Sequence, residues 1–291
     1  MNPIFLQIGS FKLSYYGLCY AIAFFVGIEL LKKEAEKKGL SKALVEDYAF
    51  VAMISGLLGG RLYYVLFNFS YYLDYPMDIL AVWKGGMAIH GGILGGFIGT
   101  LIYAHRKKLN AFLLGDMVAP LLLLGQGIGR FGNLANGEVH GVPTFTPLNI
   151  IFKLKPSFNE WYSYYNTLSL SDKAGYKELV PWGLVFPTSS PAGSEFPNLP
   201  LHPAMLYEAG LNFAGFIFLY FYMRNKNYAT GTIWWTYIII YSINRIVVSF
   251  FRAEDLMLLG VRAPHIVSFV MLMIAAVIII VINKKSRSDK K

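Results

Sequence analysis

The chain has 291 residues, 55% of them hydrophobic and 15% charged, with a mean hydropathy of +0.47. A water-soluble domain has too little interior to hide that much apolar surface, so the composition excludes the soluble globular class and places the chain in lipid. The net charge of +9 does not point to nucleic acid, because the lysines and arginines stand in short clusters between apolar runs, which is how membrane topology is encoded.

In chain order, apolar runs at residues 15–31, 48–67, 87–104, 112–128, 203–223, 230–250 and 264–282 are long enough, or nearly so, to span a bilayer. Each is expected to be a helix, since lipid offers the backbone no hydrogen-bond partners. The expected fold is therefore an all-α polytopic membrane protein with seven transmembrane helices. Residues 1–13, with Lys12 as the sole charge, read as a segment lying along the interface. The N-terminus lacks a basic stretch and a small-residue cleavage site, so the first run is expected to stay as an anchor.

Basic residues cluster after alternate runs: Lys32, Lys33, Lys37, Lys38 and Lys42 after the first, Arg106, Lys107 and Lys108 after the third, Arg224 and Lys226 after the fifth, and Lys284, Lys285, Arg287, Lys290 and Lys291 after the seventh. More than half of the 26 basic residues fall there, which predicts that these loops are cytoplasmic, the N-terminus outside and the C-terminus inside. Of the outward connections, residues 68–86 carry an aromatic composition ending near Trp83 that suits an interfacial belt. Residues 142–201, rich in Tyr, Trp, Ser and Pro, read as a small outward-facing loop domain of short strands. The expected organisation is thus 1–141 for the first four helices and the loop that follows them, 142–201 for the outward domain, and 202–291 for the last three helices and a basic tail.

That topology assigns a depth to every polar residue. Tyr16, Arg61, His90, Arg130, Asn133, Asn136, Glu138, His202, Tyr207, Glu208, Tyr241, Arg245 and Arg252 all fall towards the outer side, whereas Asp116 lies in the inner half and reads as a structural carboxylate. Ionisable groups at membrane depth must be hydrated, paired or matched to a charged ligand, and structural polar residues have no reason to collect on one side. The densest stretch runs from Gly129 to Gly141, where Arg130, Asn133, Asn136 and Glu138 leave the fourth run among four glycines. In the sixth run Tyr241, Arg245 and Arg252 are spaced to share one helical face.

The arginines outnumber the nearby carboxylates Glu138 and Glu208, and guanidinium matches phosphate in a two-pronged way, so a phospholipid headgroup is the expected ligand. Arg61 and Arg252 are also open to pairing with Glu208, Glu254 or Asp255. His90 reads either as a hydrogen-bonder between helices or as part of a site, with Gly91 and Gly92 leaving space beside its ring. His202, just before Pro203, reads as a helix cap, and His265 as a cap of the last helix. His140 has no assigned role. Gly56, Gly60, Gly91, Gly92, Gly95, Gly96 and Gly99 form small-residue faces that bring the second and third helices close.

Cys19 is the only cysteine, so neither a disulfide framework nor a thiolate metal site is expected. No Gly-x-Ser-x-Gly stands in an apolar run and no His-Glu-x-x-His occurs, against intramembrane serine and zinc proteases. A membrane carrier for a phospholipid or organic anion is the alternative reading.

The run Gly129-Arg130-x-Gly132-Asn133-x-x-Asn136-Gly137-Glu138-x-x-Gly141 resembles the signature of bacterial prolipoprotein diacylglyceryl transferases. Tyr16-Gly17, Gly60-Arg61, His90-Gly91-Gly92, Pro181-Trp182-Gly183, His202-Pro203-x-x-Leu206-Tyr207-Glu208, Arg245 and Phe251-Arg252 follow in that family's order. The resemblance implies an inner-membrane enzyme that moves the diacylglyceryl group of phosphatidylglycerol to the lipobox cysteine of a prolipoprotein signal peptide, without metal or diffusible cofactor. It further implies catalytic roles for His90, Arg130 and Arg245, and substrate contacts from Tyr16, Arg61, Asn133, Asn136, Glu138, Gly141, Glu208, Tyr241 and Arg252. Ser249 in place of a common glutamate, Ala204-Met205 after His-Pro, Leu134-Ala135 within the signature and a long insertion over 153–178 depart from the family pattern.

Overall fold

A computed structural model describes residues 4–9, 11–82, 85–154, 157–253 and 256–288. Trp83 of the expected aromatic belt, Glu254 and Asp255 as pairing partners, and Lys290 and Lys291 of the basic tail lie outside the described residues. Seven long helices follow the seven apolar runs: α1 (Tyr15–Lys37), α2 (Lys42–Phe67), α3 (Ile89–Arg106), α4 (Ala111–Asn136), α5 (Ala204–Ile217), α6 (Thr232–Phe251) and α7 (Ala263–Ser288). α5 continues through a widened π turn, Phe218–Tyr222, into a tight turn at Met223–Asn225, where the Arg224 guanidinium lies 3.6 Å from the centre of the Tyr220 ring.

Among the described residues, six helices are long and apolar enough to cross a membrane, not the seven expected. The missing one is α3. Its 18 residues include five glycines, His90, His105 and Arg106, which dilute the apolar character that its length would otherwise supply.

The chain divides into two compact units, Met1–Gly27 with Ala119–Lys291, and Ile28–Val118. One boundary falls within α4 beside Pro120, which has no N–H to close the helical ladder.

In the unit Ile28–Val118, α2 and α3 pack backbone against backbone. A Cβ added to Gly59 would sit 2.4 Å from the Gly91 carbonyl oxygen, and one added to Gly95 would sit 2.3 Å from that of Ser55. The small-residue faces read from the sequence are therefore in contact, with Gly59 at the centre of the seam and Gly56 and Gly60 flanking it. Towards the far end, Tyr103 donates to the Leu44 carbonyl at 2.6 Å, and Tyr48 and Thr100 share a hydrogen bond of 3.2 Å. Ser41 starts α2 by accepting from the Leu44 N–H at 3.2 Å.

In the other unit, the segment read as lying along the interface forms an antiparallel hairpin of β1 (Ile4–Ile8) and β2 (Phe11–Ser14). β3 (Met257–Leu258) and β4 (Val261–Arg262) form a second hairpin, closed by Leu259 and Gly260, both at positive φ as a two-residue turn requires. α4, α5 and α6 meet over Ala119, Leu123, Leu219, Met223, Ile233 and Tyr237. The buried amides of Asn212 and Asn244 join α5 to α6 at 3.1 Å, and Gln126 donates to the Tyr237 hydroxyl at 3.0 Å between α4 and α6.

The short strands expected over 142–201 are replaced by short helices, Leu148–Ile151, Phe158–Thr167, Leu170–Lys173 and Pro191–Glu195, with single bridges from Leu201 to Pro143 and Leu184. The reason lies in the spacing of the aromatics. Phe158, Trp161, Tyr162 and Tyr165 recur at i, i+3, i+4 and i+7, which is a helical face, and Phe158 stacks on Tyr162 at 5.3 Å. Phe158 joins a core of Val142, Ile151, Phe186, Phe196 and Leu201, against which Trp161 and Tyr162 pack.

Candidate functional site

The end of α4 builds the first part of the site by its own backbone rules. Gly137, at φ +66°, stands just past the helix end, the Gly137 N–H bonds to the Leu134 carbonyl at 3.2 Å, and the Glu138 N–H reaches back to the Asn133 carbonyl at 2.9 Å. That pair of bonds is the Schellman arrangement, which ends a helix and turns the chain sharply back on its last turn. The Glu138 carboxylate consequently lies over Asn133 and Asn136, at 3.4 Å from each side-chain amide.

Asn133, buried, is the hub. Its carbonyl oxygen accepts from Arg130 Nη1 at 3.0 Å, while its amide nitrogen donates to the Tyr16 hydroxyl at 2.6 Å. Arg130 and Asn133 are one turn apart on α4, so both face the same neighbours. Tyr16, in the first turn of α1, reaches them because Gly132 has no side chain: a Cβ there would stand 3.1 Å from the Tyr16 ring. Arg130 Nη2 pairs with Glu208, buried on the second turn of α5. Among the described residues, Arg130 Nε and the second Glu208 oxygen are buried without a hydrogen-bond partner. Three helices thus hold one guanidinium in a fixed pose with donor capacity left over.

The loop then continues through Val139, at φ +59°, to His140, whose Nε2 meets Glu195 at 2.9 Å. Gly141 is pinched between chain segments: its N–H donates to the His202 carbonyl at 2.9 Å, it bridges to Arg252, and a Cβ would collide with the carbonyls of His202 and Phe251.

His202 does not cap α5. Its side chain makes no capping bond, and Nδ1 instead meets the Tyr207 hydroxyl at 3.0 Å, which accepts from Trp182 Nε1 at 2.9 Å. Burial pushes the His202 imidazole down from 6.5 to about 4, so the ring is neutral. The order that uses each hydrogen once is Trp182 to Tyr207 to His202, which leaves the remaining proton on the buried, unpartnered Nε2. His265 lies inside the first turn of α7, with its ring 4.5 Å from Phe250, rather than before it.

The structure therefore brings Tyr16, Arg130, Asn133, Asn136, Glu138 and Glu208 into one network. Tyr241 and Arg245 are half-buried one turn apart on α6. Arg252 does not share their helical face, because α6 stops at Phe251 and Arg252 is already in extended backbone.

Arg61 and His90 belong to the unit Ile28–Val118. The Arg61 guanidinium, expected to face an anion or an acid, is taken up by main-chain carbonyls: Ile79 at 3.0 Å, Gly86 at 2.9 Å, Ala81 at 3.4 Å, and Asp78 and Gly85 more closely. The segment is a single 3-10 turn, Pro76–Leu80, followed by irregular backbone; Asp78 already accepts from the Ala81 N–H at 3.1 Å, and the guanidinium, with five donors, serves the carbonyls such a segment leaves over. Glu208, the alternative partner of Arg61, is held by Arg130. A cavity of about 330 Å³ beside Arg61 is lined by Tyr64, Asn68, Tyr71, Tyr72 and Asp78. His90 is exposed in the first turn of α3, with its ring 6.3 Å from that of Tyr63. Gly91 does not leave room beside it, since that position is filled by Tyr63 and the Gly59 carbonyl.

Two contacts were not read from the sequence, one hidden from its motifs and one within their reach. The His140–Glu195 pair joins residues 55 apart, and only the helical character of Pro191–Glu195 shows that they meet. The Trp182–Tyr207–His202 relay was within reach, because Pro181-Trp182-Gly183 and the His202 to Glu208 run both stand out as motifs.

A family model described as prolipoprotein diacylglyceryl transferase matches residues 3–281. A Fusobacterium nucleatum protein named phosphatidylglycerol--prolipoprotein diacylglyceryl transferase is 64% identical over 286 residues, covering 98% of this chain and 99% of its own. Proteins of the same name from Geobacter sulfurreducens and Bacillus velezensis are 30% and 31% identical over 292 residues, covering 98% and 100% of this chain and 96% of their own.

Proposed function

The chain belongs to the prolipoprotein diacylglyceryl transferase family, and on that premise we propose how its residues perform the transfer. The enzyme moves the sn-1,2-diacylglyceryl group from phosphatidylglycerol to the cysteine thiol of a prolipoprotein. The carbon–oxygen bond to phosphate breaks, the sulfur–carbon bond forms, the electron pair leaves with glycerol phosphate, and the thiol gives up its proton. The carrier alternative is not favoured, since the relatives bear transferase names.

The observation that carries the assignment of residues is the Arg130 guanidinium, held by Asn133 and Glu208 while its buried Nε has no hydrogen-bond partner among the described residues. A preoriented cation stabilises the charge that develops on a departing phosphate without reorganising at the moment of reaction. Arg130 takes the phosphate through its remaining N–H groups, Tyr16 and Glu138 fix Asn133, and Glu208 keeps the guanidinium in place between turnovers. Arg245, Tyr241 and Arg252 complete the headgroup contacts, Asn136 and Gly141 shape the segments around them, and Arg61 orders residues 78–86 of its own unit. His90, exposed where an incoming peptide can meet it, removes or positions the thiol proton.

In this reading α3 completes seven spans, the N-terminus and residues 142–201 face away from the cytoplasm, and the protein works in the bacterial inner membrane on signal peptides that carry a lipobox cysteine. The test is turnover of labelled phosphatidylglycerol with a lipobox peptide. Arg130→Ala should lose at least about 100-fold in rate while still inserting, and Arg130→Lys should recover little, because a point charge cannot hold Asn133, Glu208 and phosphate together. Near-normal turnover by either variant refutes the assignment.

A further inference from the structure

We infer that His140 and Glu195 are positioning residues, whose contact holds the loop from Gly137 to Gly141 in the conformation that sets Glu138 against Asn133; the inference rests on the proposed role of Arg130. The loop has two residues in the left-handed region, Gly137 at φ +66° and Val139 at φ +59°. Glycine adopts that conformation freely. A β-branched side chain does not, so Val139 stays there only if its surroundings over-determine it.

Besides the backbone bonds that tie Gly141 to His202 and the His140 carbonyl to Ala253, one short segment closes on the loop. The Ala192 N–H donates to the Gly137 carbonyl at 3.0 Å, and Ser190 packs against Gly137 so closely that a Cβ would stand 2.7 Å from it. His140, on the far side of Val139, is 8% exposed, bonds to Glu195 at 2.9 Å and sets its ring edge-on to Phe196 at 5.7 Å. Residues 190–196 therefore grip the loop on both sides of Val139, and His140 enters this grip through a polar side-chain bond. The chain of effect runs from Glu195 to His140, to the left-handed Val139, to Glu138, to Asn133 and so to the pose of Arg130.

The inference predicts a particular pattern in full-length protein assayed with phosphatidylglycerol and a lipobox peptide. His140→Ala and Glu195→Ala should each lower kcat about 10-fold, with KM for lipid and peptide within about twofold, because the loop orients a group used in the chemical step rather than in ground-state binding. The double variant should be no slower than the worse single one, as expected for two partners of one contact. Glu195→Gln, which still accepts from the imidazole, should keep most of the rate. The decisive variant is Val139→Gly in the His140→Ala background. Glycine needs no grip to stay left-handed, so it should recover at least half of the lost kcat.

Wild-type kcat in His140→Ala, multiplied losses in the double variant, a change confined to KM, or failure of Val139→Gly to rescue each overturns the inference. Where Glu195→Ala does not fold, Glu195→Gln and the Val139→Gly rescue decide the matter. A slow Arg130→Ala beside a normal His140→Ala removes this inference alone; normal turnover by both removes the proposed function with it.

Discussion

Arg61 and Arg130 are both arginines drawn into the protein near helix ends, and the fold uses them in different ways. Arg61 is committed to five carbonyls of residues 78–86 and sits 5% exposed, whereas Arg130 keeps a buried Nε without a hydrogen-bond partner among the described residues. Arg61→Lys should therefore act on stability: three donors cannot serve five carbonyls, and each buried carbonyl left unpaired costs roughly 1–3 kcal/mol. A lowered unfolding midpoint in detergent, with residual activity scaling to the folded fraction, is the expected result. His202 gives a second residue-scale prediction. Its folded-state value of about 4 lies below the ordinary 6.5, so the unfolded chain binds the proton more readily. Its contribution is present above about pH 6.5 and is lost as pH falls towards 4, by on the order of 3 kcal/mol at most. Thermal unfolding of wild type between pH 7.5 and 5 should show this fall, and His202→Gln should flatten it. The Arg130–Asn133–Glu138 cluster is legible in the sequence because its members lie within one helical turn and the turn that ends it. The Arg130–Glu208 pair is not, because its partners are 78 residues apart and several carboxylates compete for the assignment.

At the scale of elements, the apolar runs locate every long helix, since a run of about 20 apolar residues leaves the backbone no other way to satisfy itself in lipid. The aromatic segment 158–165 has a composition that favours strands and a spacing that is helical. Period outweighs propensity there. Glycine spacing likewise predicts that α2 and α3 touch, but the contact itself takes up Gly91, which the motif alone assigns to ligand space. Gly91→Ala should separate the helices, because its methyl group would stand 2.3 Å from Tyr63 Cβ and 2.4 Å from the Gly59 carbonyl. A loss of stability of roughly 1–3 kcal/mol is expected from such overpacking. Gly129→Ala, inside α4 with nothing within 4 Å of the added methyl, is the control that should be no less stable than wild type, by helix propensity more stable by up to about 1 kcal/mol.

For the whole molecule, orientation decides whether the proposed chemistry meets its substrate, and the composition supplies the tool that reads it. With Cys19 as the only cysteine, Cys19→Ser gives a cysteine-free background in which single cysteines report their side of the membrane. A cysteine at Ser171 should react with an impermeant maleimide in intact cells, and one at Lys107 only after the membrane is opened. The opposite pattern would reverse the orientation and detach the loop 137–141 from the compartment where lipobox cysteines emerge. The unit Ile28–Val118 holds both Arg61 and His90. Within that unit, the Gly59–Gly91–Gly95 seam admits a single register: a slip one way would put Leu58 where Gly59 stands and drive its side chain into the facing carbonyl, and a slip the other way would put Arg61 where Gly60 stands, against the Ala88 carbonyl. The connection between α2 and Asp78 can therefore gain or lose residues over time, while the height of His90 against Arg61 stays locked, as two teeth of one gear fix each other whatever the length of belt between them.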